Sequence, residues 1–330
     1  MTFNPKSYFM KADEAVNKYN ERRAFEEENK HLAMPFFVEG LRDMIPDQYP
    51  SEMAIVGTAS GEGKSLIMKA WHDAVQEHVT EQRKRAITPY ISHEDTTEMS
   101  AGALLKKHNG NRAQIDDNLT AYIGRSFGMN QDDIADLHMT NVIATLDYGQ
   151  NHAYSEKMPY SAIFYDYIQT TPPDPFRRDM TNDSQRRMQI ADDTKRLFNM
   201  ATTFFCPVIA AAQTSLKKME RPYNSLMLIP GKRDFEEAKE IYQIPDRVYS
   251  GWMPSGTYPV GKEIEIDNWK FKVESNQFFL WVLKMRYHTP DTCKGIRKVY
   301  PLRIQSDGTF LYDKGYHKSM LVNISSKDEQ

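Results

Sequence analysis

The segment Glu52-Met-Ala-Ile-Val-Gly-Thr-Ala-Ser-Gly-Glu-Gly-Lys-Ser65 constrains this chain more than any other. An apolar run, Ala54-Ile-Val56, breaks into a glycine-bearing turn, and a helical pattern begins at Ser65-Leu-Ile-Met-Lys-Ala70. Strand, tight turn and helix in that order gather several backbone N–H groups into one concave turn. The positive end of the helix dipole adds to them, so the turn attracts an anion. In a phosphate loop of this kind Lys64 reaches the β- and γ-phosphates and the Ser65 hydroxyl holds Mg²⁺. The candidate nucleotide contacts are Thr58, Ala59, Ser60, Gly61, Glu62, Gly63, Lys64, Ser65 and Leu66. One position departs from the usual spacing: Thr58 stands where a glycine is expected, and Gly57 lies one residue early. Read alone, the segment also fits an ordinary strand-to-helix turn.

Beyond this loop, strand and helix signals alternate, as a largely parallel sheet covered on both faces requires. The first helix runs through Trp71 and Val75 to about Gln82, residues 86–91 read as a strand and 98–108 as a helix. The polar section 112–160 reads as helical at 119–127 and 132–137. Residues 161–165 form an apolar strand ending in Asp166, and 207–212 a second one ending at Gln213. Between them, 184–204 is an amphipathic helix with Met188, Ala191, Leu197, Met200 and Phe204 on its apolar side. After about residue 245 strands follow without helices, at 246–250, 278–286, 299–304 and 309–313, an antiparallel or mixed extension of the sheet. Residues 7–30 read as one amphipathic helix, either packed on its own domain or docked on a neighbouring subunit. The expected organisation is a helical arm over 1–32 and one α/β domain over 33–330.

Charge narrows the partners. With 42 basic and 45 acidic residues the net charge is −3, which excludes a globally basic coat. Any polynucleotide contact must come from local loops. Two cysteines, Cys206 and Cys293, give no disulfide framework, which favours a reducing cytoplasm. No apolar run reaches the roughly 18 residues of a membrane span, so no membrane partner is expected. The histidines lack metal-ligand spacing with the cysteines, so zinc is not expected.

In an open α/β sheet, ligands bind at the carboxyl ends of the strands. The 57–65 loop, Glu94, Asp166 and Gln213 all stand at such ends. Asp166 is suited to hold Mg²⁺ opposite Ser65, and equally to form a turn. A carboxylate near the phosphates can activate water, and on spacing alone Glu94, Asp95 and Glu98 compete for that role. Gln213 can hydrogen-bond a γ-phosphate. Two basic loops follow. Thr171–Arg187 carries Arg177, Arg178, Arg186 and Arg187; Thr214–Asp234 carries Lys217, Lys218, Arg221, Lys232 and Arg233. Such loops suit contacts to a nucleic-acid backbone, or are simply a solvated surface.

These residues together resemble the RecA-like ATPase domain of DnaB-type replicative helicases, over about residues 50–313. Asp166-Tyr-Ile-Gln169 is similar to that family's strand-end Asp-Tyr-Leu-Gln. Residues 190–201 followed by Cys206-Pro-Val-Ile-Ala-Ala-Ala-Gln213 resemble its helix, its Pro-Val-Ile strand and its terminal glutamine. Ile91-Ser-His-Glu94 resembles its Phe-Ser-Leu-Glu, whose glutamate is the catalytic base, which implies Glu94 over Asp95 and Glu98. Members of the family often replace the first loop glycine, so Thr58 fits. Leu283-Lys-Met-Arg-Tyr287 resembles the segment whose lysine and arginine reach the ATP site of the adjacent subunit, implying trans roles for Lys284 and Arg286. Residues 300–313 resemble the family's terminal hairpin.

The resemblance implies an α/β fold: a RecA-like P-loop NTPase core, largely parallel and flanked by helices, with antiparallel strands added at the C-terminal end. It implies an ATP hydrolase using ATP and Mg²⁺, a 5′–3′ DNA helicase assembling as a homo-hexameric ring on single-stranded DNA. Gln213 would relay γ-phosphate loss to the 214–234 loop, and replication or loader proteins would be further partners. Two departures stand out. Helix 7–30 occupies the place of the linker helix without an amino-terminal primase-binding domain, and residues 252–276 form an insertion. Both fit a phage, plasmid or other mobile-element version. The alternatives are a RecA-like DNA-dependent ATPase that recombines or recruits without unwinding, and a nucleotide switch that holds a protein partner.

Overall fold

The computed structural model describes residues 32–82, 85–107, 120–153, 157–173, 183–214, 235, 239–266, 269–286 and 298–314, with four positions before residue 32. The chain divides into two units, Met1–Ala33 and Met34–Gln330. In the first, Val16, Asn17, Asn20 and Ala24 are helical, and the rest of the expected helix 7–30 lies outside the described residues.

The second unit is organised by a sheet. Its strands in chain order are β1 (Met53–Thr58), β2 (Thr88–Ser92), β3 (Thr120–Gly124), β4 (Ile163–Asp166), β5 (Val208–Gln213) and β6 (Arg247–Trp252). They continue with β7 (Glu263–Ile266), β8 (Trp269–Lys272), β9 (Gln277–Met285), β10 (Val299–Ile304) and β11 (Phe310–Tyr312). Among the described residues nine strands form one sheet in the order β11-β10-β9-β6-β1-β5-β4-β2-β3, and β7 pairs with β8 apart from it. From β6 to β3 every pairing is parallel; β9, β10 and β11 add antiparallel strands.

The helices are α1 (Lys64–Glu81), α2 (Thr97–Lys107), α3 (Gln131–Ala135), α4 (Met139–His152), α5 (Asp183–Thr203) and α6 (Glu240–Gln243). Alternation along the strands divides the core. Ala54, Val56, Phe164, Ile209 and Ala211 pack with Ile67, Met68, Trp71 and Val75 of α1. Met53, Ile55, Ile163, Tyr165, Val208 and Ala210 pack with Leu146 of α4 and Leu197 and Met200 of α5. Burial on both faces explains why these strands are apolar throughout. Beneath β1, Arg247 pairs with Glu52 at 2.8 Å and donates to the carbonyls of Pro46 and Asp47. Among the described residues no helix is long and apolar enough to cross a membrane.

Three local expectations are corrected. Residues 120–124 are the edge strand β3 and not a helix; Thr120, Ala121, Tyr122 and Ile123 are only half-buried beside β2, so no apolar face of either period develops. Helix α4 lies where no helix was expected between 137 and 160. Met188, expected on the apolar face of its helix, is 55% exposed. Within 252–276, the segment expected as an insertion, the described residues include a 3₁₀ turn at Pro254–Gly256 and the antiparallel pair β7 and β8.

Candidate active site

β1 runs straight into the turn 59–63, where Gly61 (φ 75°) and Gly63 (φ 88°) adopt left-handed backbone that side chains resist. Gly57 has a different reason to be glycine. A Cβ there would lie 2.2 Å from Phe235 Cζ and 2.9 Å from Thr214 Cγ2. Its place one residue early is thus set by packing, while Thr58 is buried and its carbonyl accepts from Thr214 N–H at 2.9 Å.

Parallel register brings the other strand ends alongside this turn. Thr58 aligns with Gln213 and with Gly251, and Ser92 aligns with Asp166. Lys64, the first residue of α1, points across this edge. Its Nζ lies 3.7 Å from Asp166 Oδ1, 3.8 Å from Glu94 Oε2, and 2.8 Å from the centre of the Tyr167 ring. Burial pulls the Lys64 ammonium below its ordinary value, while Asp166 and Glu94 act in the opposite sense. Asp166 is 2% exposed; its Oδ2 accepts from Tyr90 OH at 3.0 Å, and Oδ1 has no hydrogen-bond partner among the described residues. Tyr167, pushed up to about 12 by desolvation and then by Glu94, closes the group. Ser65 and Leu66 are half-buried at the start of α1, and Ser60 and Gly61 are exposed.

The three carboxylates of the 94–98 run have separated roles. Asp95 pairs with Lys69 at 2.9 Å. Glu98 accepts from Ser126 Oγ at 2.7 Å and from Phe127 N–H at 3.0 Å, contacts that hold its acid down to about 2. Glu94 faces Lys64, with its side chain 51% exposed to the edge where a ligand would enter.

Several contacts around the site were not visible in the sequence. Glu62, within the turn, is 1% exposed, and its Oε1 accepts from Thr257 Oγ1 at 2.9 Å. Thr257 Oγ1 in turn accepts from Trp252 Nε1 at 3.1 Å. The segment after β6 therefore braces the turn from outside. A cavity of 680 Å³ opens beside Leu66, walled by Met253, Val260, Asn276, Ile304 and Gln305 among others. Gln169 clasps the backbone of Gln213; its place in Asp166-Tyr-Ile-Gln169 was the one signal available.

The remaining candidates fall in three groups. Lys284 Nζ donates to the carbonyls of Tyr242 (3.0 Å), Gln243 (2.8 Å) and Pro245 (2.7 Å), closing the end of α6; desolvation and then Arg286 pull it down to about 8. Arg286 donates to Gln243 O at 3.0 Å and lies 3.6 Å from Asp246 Oδ1. Both are engaged within their own subunit. Arg186 turns inward to Gln169 O and Thr171 O, whereas Arg187 is exposed. Arg177, Arg178, Lys217, Lys218, Arg221, Lys232 and Arg233 lie outside the described residues. Among the described residues no group of three or more His, Cys, Asp or Glu is placed to hold a metal ion.

No protein-family model matches the chain, and no curated protein matches it. Among solved structures it is similar to the ATPase domain of G40P, with a TM-score of 0.60 and 14% identity over 92% of this chain and 99% of that one. It is also similar to a DnaB-like replicative helicase described with its interactions with primase, with a TM-score of 0.63 and 15% identity over 92% of this chain and 67% of that one. The fold is that of a DnaB-type ATPase domain. In this chain the parallel pairings put the carboxyl ends of β1, β2, β4 and β5 on one edge, which is where Lys64, Glu94, Asp166 and Gln213 stand.

Proposed function

We propose that this chain is an ATP hydrolase that drives a ring-shaped motor along single-stranded DNA and separates duplex ahead of it. The observation that carries the proposal is the convergence of Lys64 on Glu94 and Asp166 directly behind a left-handed glycine turn. In this reading the N–H groups of residues 59–65 cradle the phosphates, and Lys64 leaves its carboxylates to reach the β- and γ-oxygens. Glu94 accepts a proton from the attacking water, and Gln213 hydrogen-bonds the γ-phosphate. The base and ribose enter the 680 Å³ cavity beside Leu66, whose size lies in the range of small-ligand sites.

The donor set suits Mg²⁺. Magnesium keeps several waters and takes one or two protein oxygens beside substrate phosphates, so a three-carboxylate cage is not needed. The buried Asp166 Oδ1, which has no hydrogen-bond partner among the described residues, and the Ser65 hydroxyl would be those oxygens. When bound, the ion neutralises charge on the β- and γ-phosphates.

Arg187 and the basic residues of both loops contact the DNA backbone without reading bases. Arg286 reaches the neighbouring site once its contacts to Gln243 and Asp246 open, and Lys284 gives up its three carbonyls to do the same. A hexameric ring, 5′–3′ movement and a cytoplasmic setting complete the proposal. The test is ATP hydrolysis with and without single-stranded DNA, beside a native mass measurement. Hydrolysis raised by DNA in a closed oligomer is expected; hydrolysis indifferent to DNA would leave only a nucleotide switch.

A further inference from the structure

The turn after β4 and the end of β5 are joined by a clasp that strand pairing does not require. Gln169 Nε2 donates to Gln213 O at 2.7 Å, and Gln213 N–H donates to Gln169 Oε1 at 3.0 Å. One side-chain amide therefore satisfies both backbone groups of the residue that ends β5. The two basic loops begin just beyond it, at Thr171 and Thr214.

The turn is tied on two further sides. From the first turn of α5, Arg186 donates to Gln169 O, to Thr171 O at 3.3 Å and to Gln189 Oε1 at 2.8 Å. Gln189 Nε2 reaches Thr171 O at 3.3 Å and Pro172 O at 3.2 Å. From the nucleotide side, Tyr165 OH bonds both Thr171 Oγ1 at 2.6 Å and His93 Nε2 at 2.8 Å, and His93 is the neighbour of Glu94. Residues 168–172 are thus fastened to the end of β5, to the helix that closes the first loop, and to the residue beside Glu94.

We propose that Gln169 is a positioning residue that yokes the roots of the two basic loops to each other and to the nucleotide site. This rests on the function proposed above. A two-point amide clasp fixes orientation as well as distance, so displacing either root displaces the other. DNA seated on the loops then shifts Gln213 against the γ-phosphate, and the nucleotide state shifts the grip on DNA. The coupling is reciprocal for binding equilibria and commonly amounts to roughly 5- to 150-fold. Without the clasp each loop still meets DNA, but its movement is not passed on.

The test uses the full chain, a fluorescent oligothymidylate, and either ADP or a non-hydrolysable ATP analogue. For the wild type, DNA affinity should differ between the two nucleotides by a factor of roughly 5 or more. In Gln169→Ala the two affinities should converge to within about twofold, and stimulation of hydrolysis by DNA should fall in parallel, with basal hydrolysis kept within about twofold. Gln169→Glu, which keeps the acceptor for Gln213 N–H and loses the donor to Gln213 O, should fall between; it decides the matter if the alanine variant does not fold. Wild-type coupling in folded Gln169→Ala or, failing that, in Gln169→Glu would overturn the yoke and leave the proposed function standing. A wild type that neither binds DNA nor responds to it would overturn both, and the wild-type arm alone would reveal it.

Discussion

Replacing Thr257 by valine removes the brace on the 59–63 turn while preserving side-chain shape. Two bonds are lost: the 2.9 Å donation from Thr257 Oγ1 to the buried Glu62 carboxylate, and the 3.1 Å donation from Trp252 Nε1 to Thr257. A hydrogen bond to a charged acceptor contributes about 1.5–3 kcal/mol and a neutral one about 1 kcal/mol, so the loss should be about 3 kcal/mol. At roughly 2 °C per kcal/mol for a domain of this size, the melting midpoint should fall by about 6 °C. Glu62 sits between Gly61 and Gly63, so part of the loss falls on the loop proposed to hold phosphate. If about half of it opposes binding, KM for ATP rises about tenfold, while kcat changes little because the brace does not touch the reacting atoms. The assays are a thermal melt and steady-state hydrolysis across ATP concentrations. Thr257→Ser should restore both values. Wild-type KM and midpoint in Thr257→Val would refute the claim that the segment after β6 supports the proposed nucleotide loop.

Arg247→Met leaves Glu52 buried without its guanidinium and should cost about 3–5 kcal/mol in urea unfolding, most of it recovered by adding Glu52→Gln. Asp193, buried on α5, is pushed up to about 6 by desolvation. Its folded value lies above the unfolded one of 3.8, so its stability contribution is present at low pH and lost as pH rises through 6. Asp193→Asn should therefore stabilise the protein above pH 7, by about 3 kcal/mol at most, and change little below pH 4; equal melts at both pH values would contradict this. If Arg286 acts across a subunit boundary, mixing inactive Arg286→Ala with inactive Lys64→Ala should recover a fraction of the hydrolysis rate, and no recovery at any ratio would confine Arg286 to its own subunit.

What could be read from the sequence follows how locally each feature is determined. The strands β1, β4 and β5 are buried on both faces, so their apolar runs were plain in the chain, and the polar residues ending them marked the edge proposed to take the ligand. β3 lies at the sheet margin with one neighbour and half-buried side chains, which erased its period. The brace joins Thr257 to Glu62 across 195 positions, and the ties of Lys284 to residues 242–245 span about forty; no short window records such partners. Gly57 was legible as an anomaly, but its cause, the ring of Phe235, comes from elsewhere in the chain. Choosing among Glu94, Asp95 and Glu98 by spacing alone was not possible, because what separates them is the partner each one meets: Lys64, Lys69 or the 126–127 backbone and hydroxyl.

The central claim is that Lys64, Glu94 and Asp166 form an ATP-hydrolysing centre. The most direct measurement compares phosphate release by wild type and Glu94→Gln at saturating ATP with single-stranded DNA, beside nucleotide binding by each. Loss of a general base costs about 10²–10⁴ in rate, so Glu94→Gln should bind ATP with near wild-type affinity and release phosphate at least about a hundredfold more slowly. Phosphate release by Glu94→Gln at the wild-type rate would contradict the account.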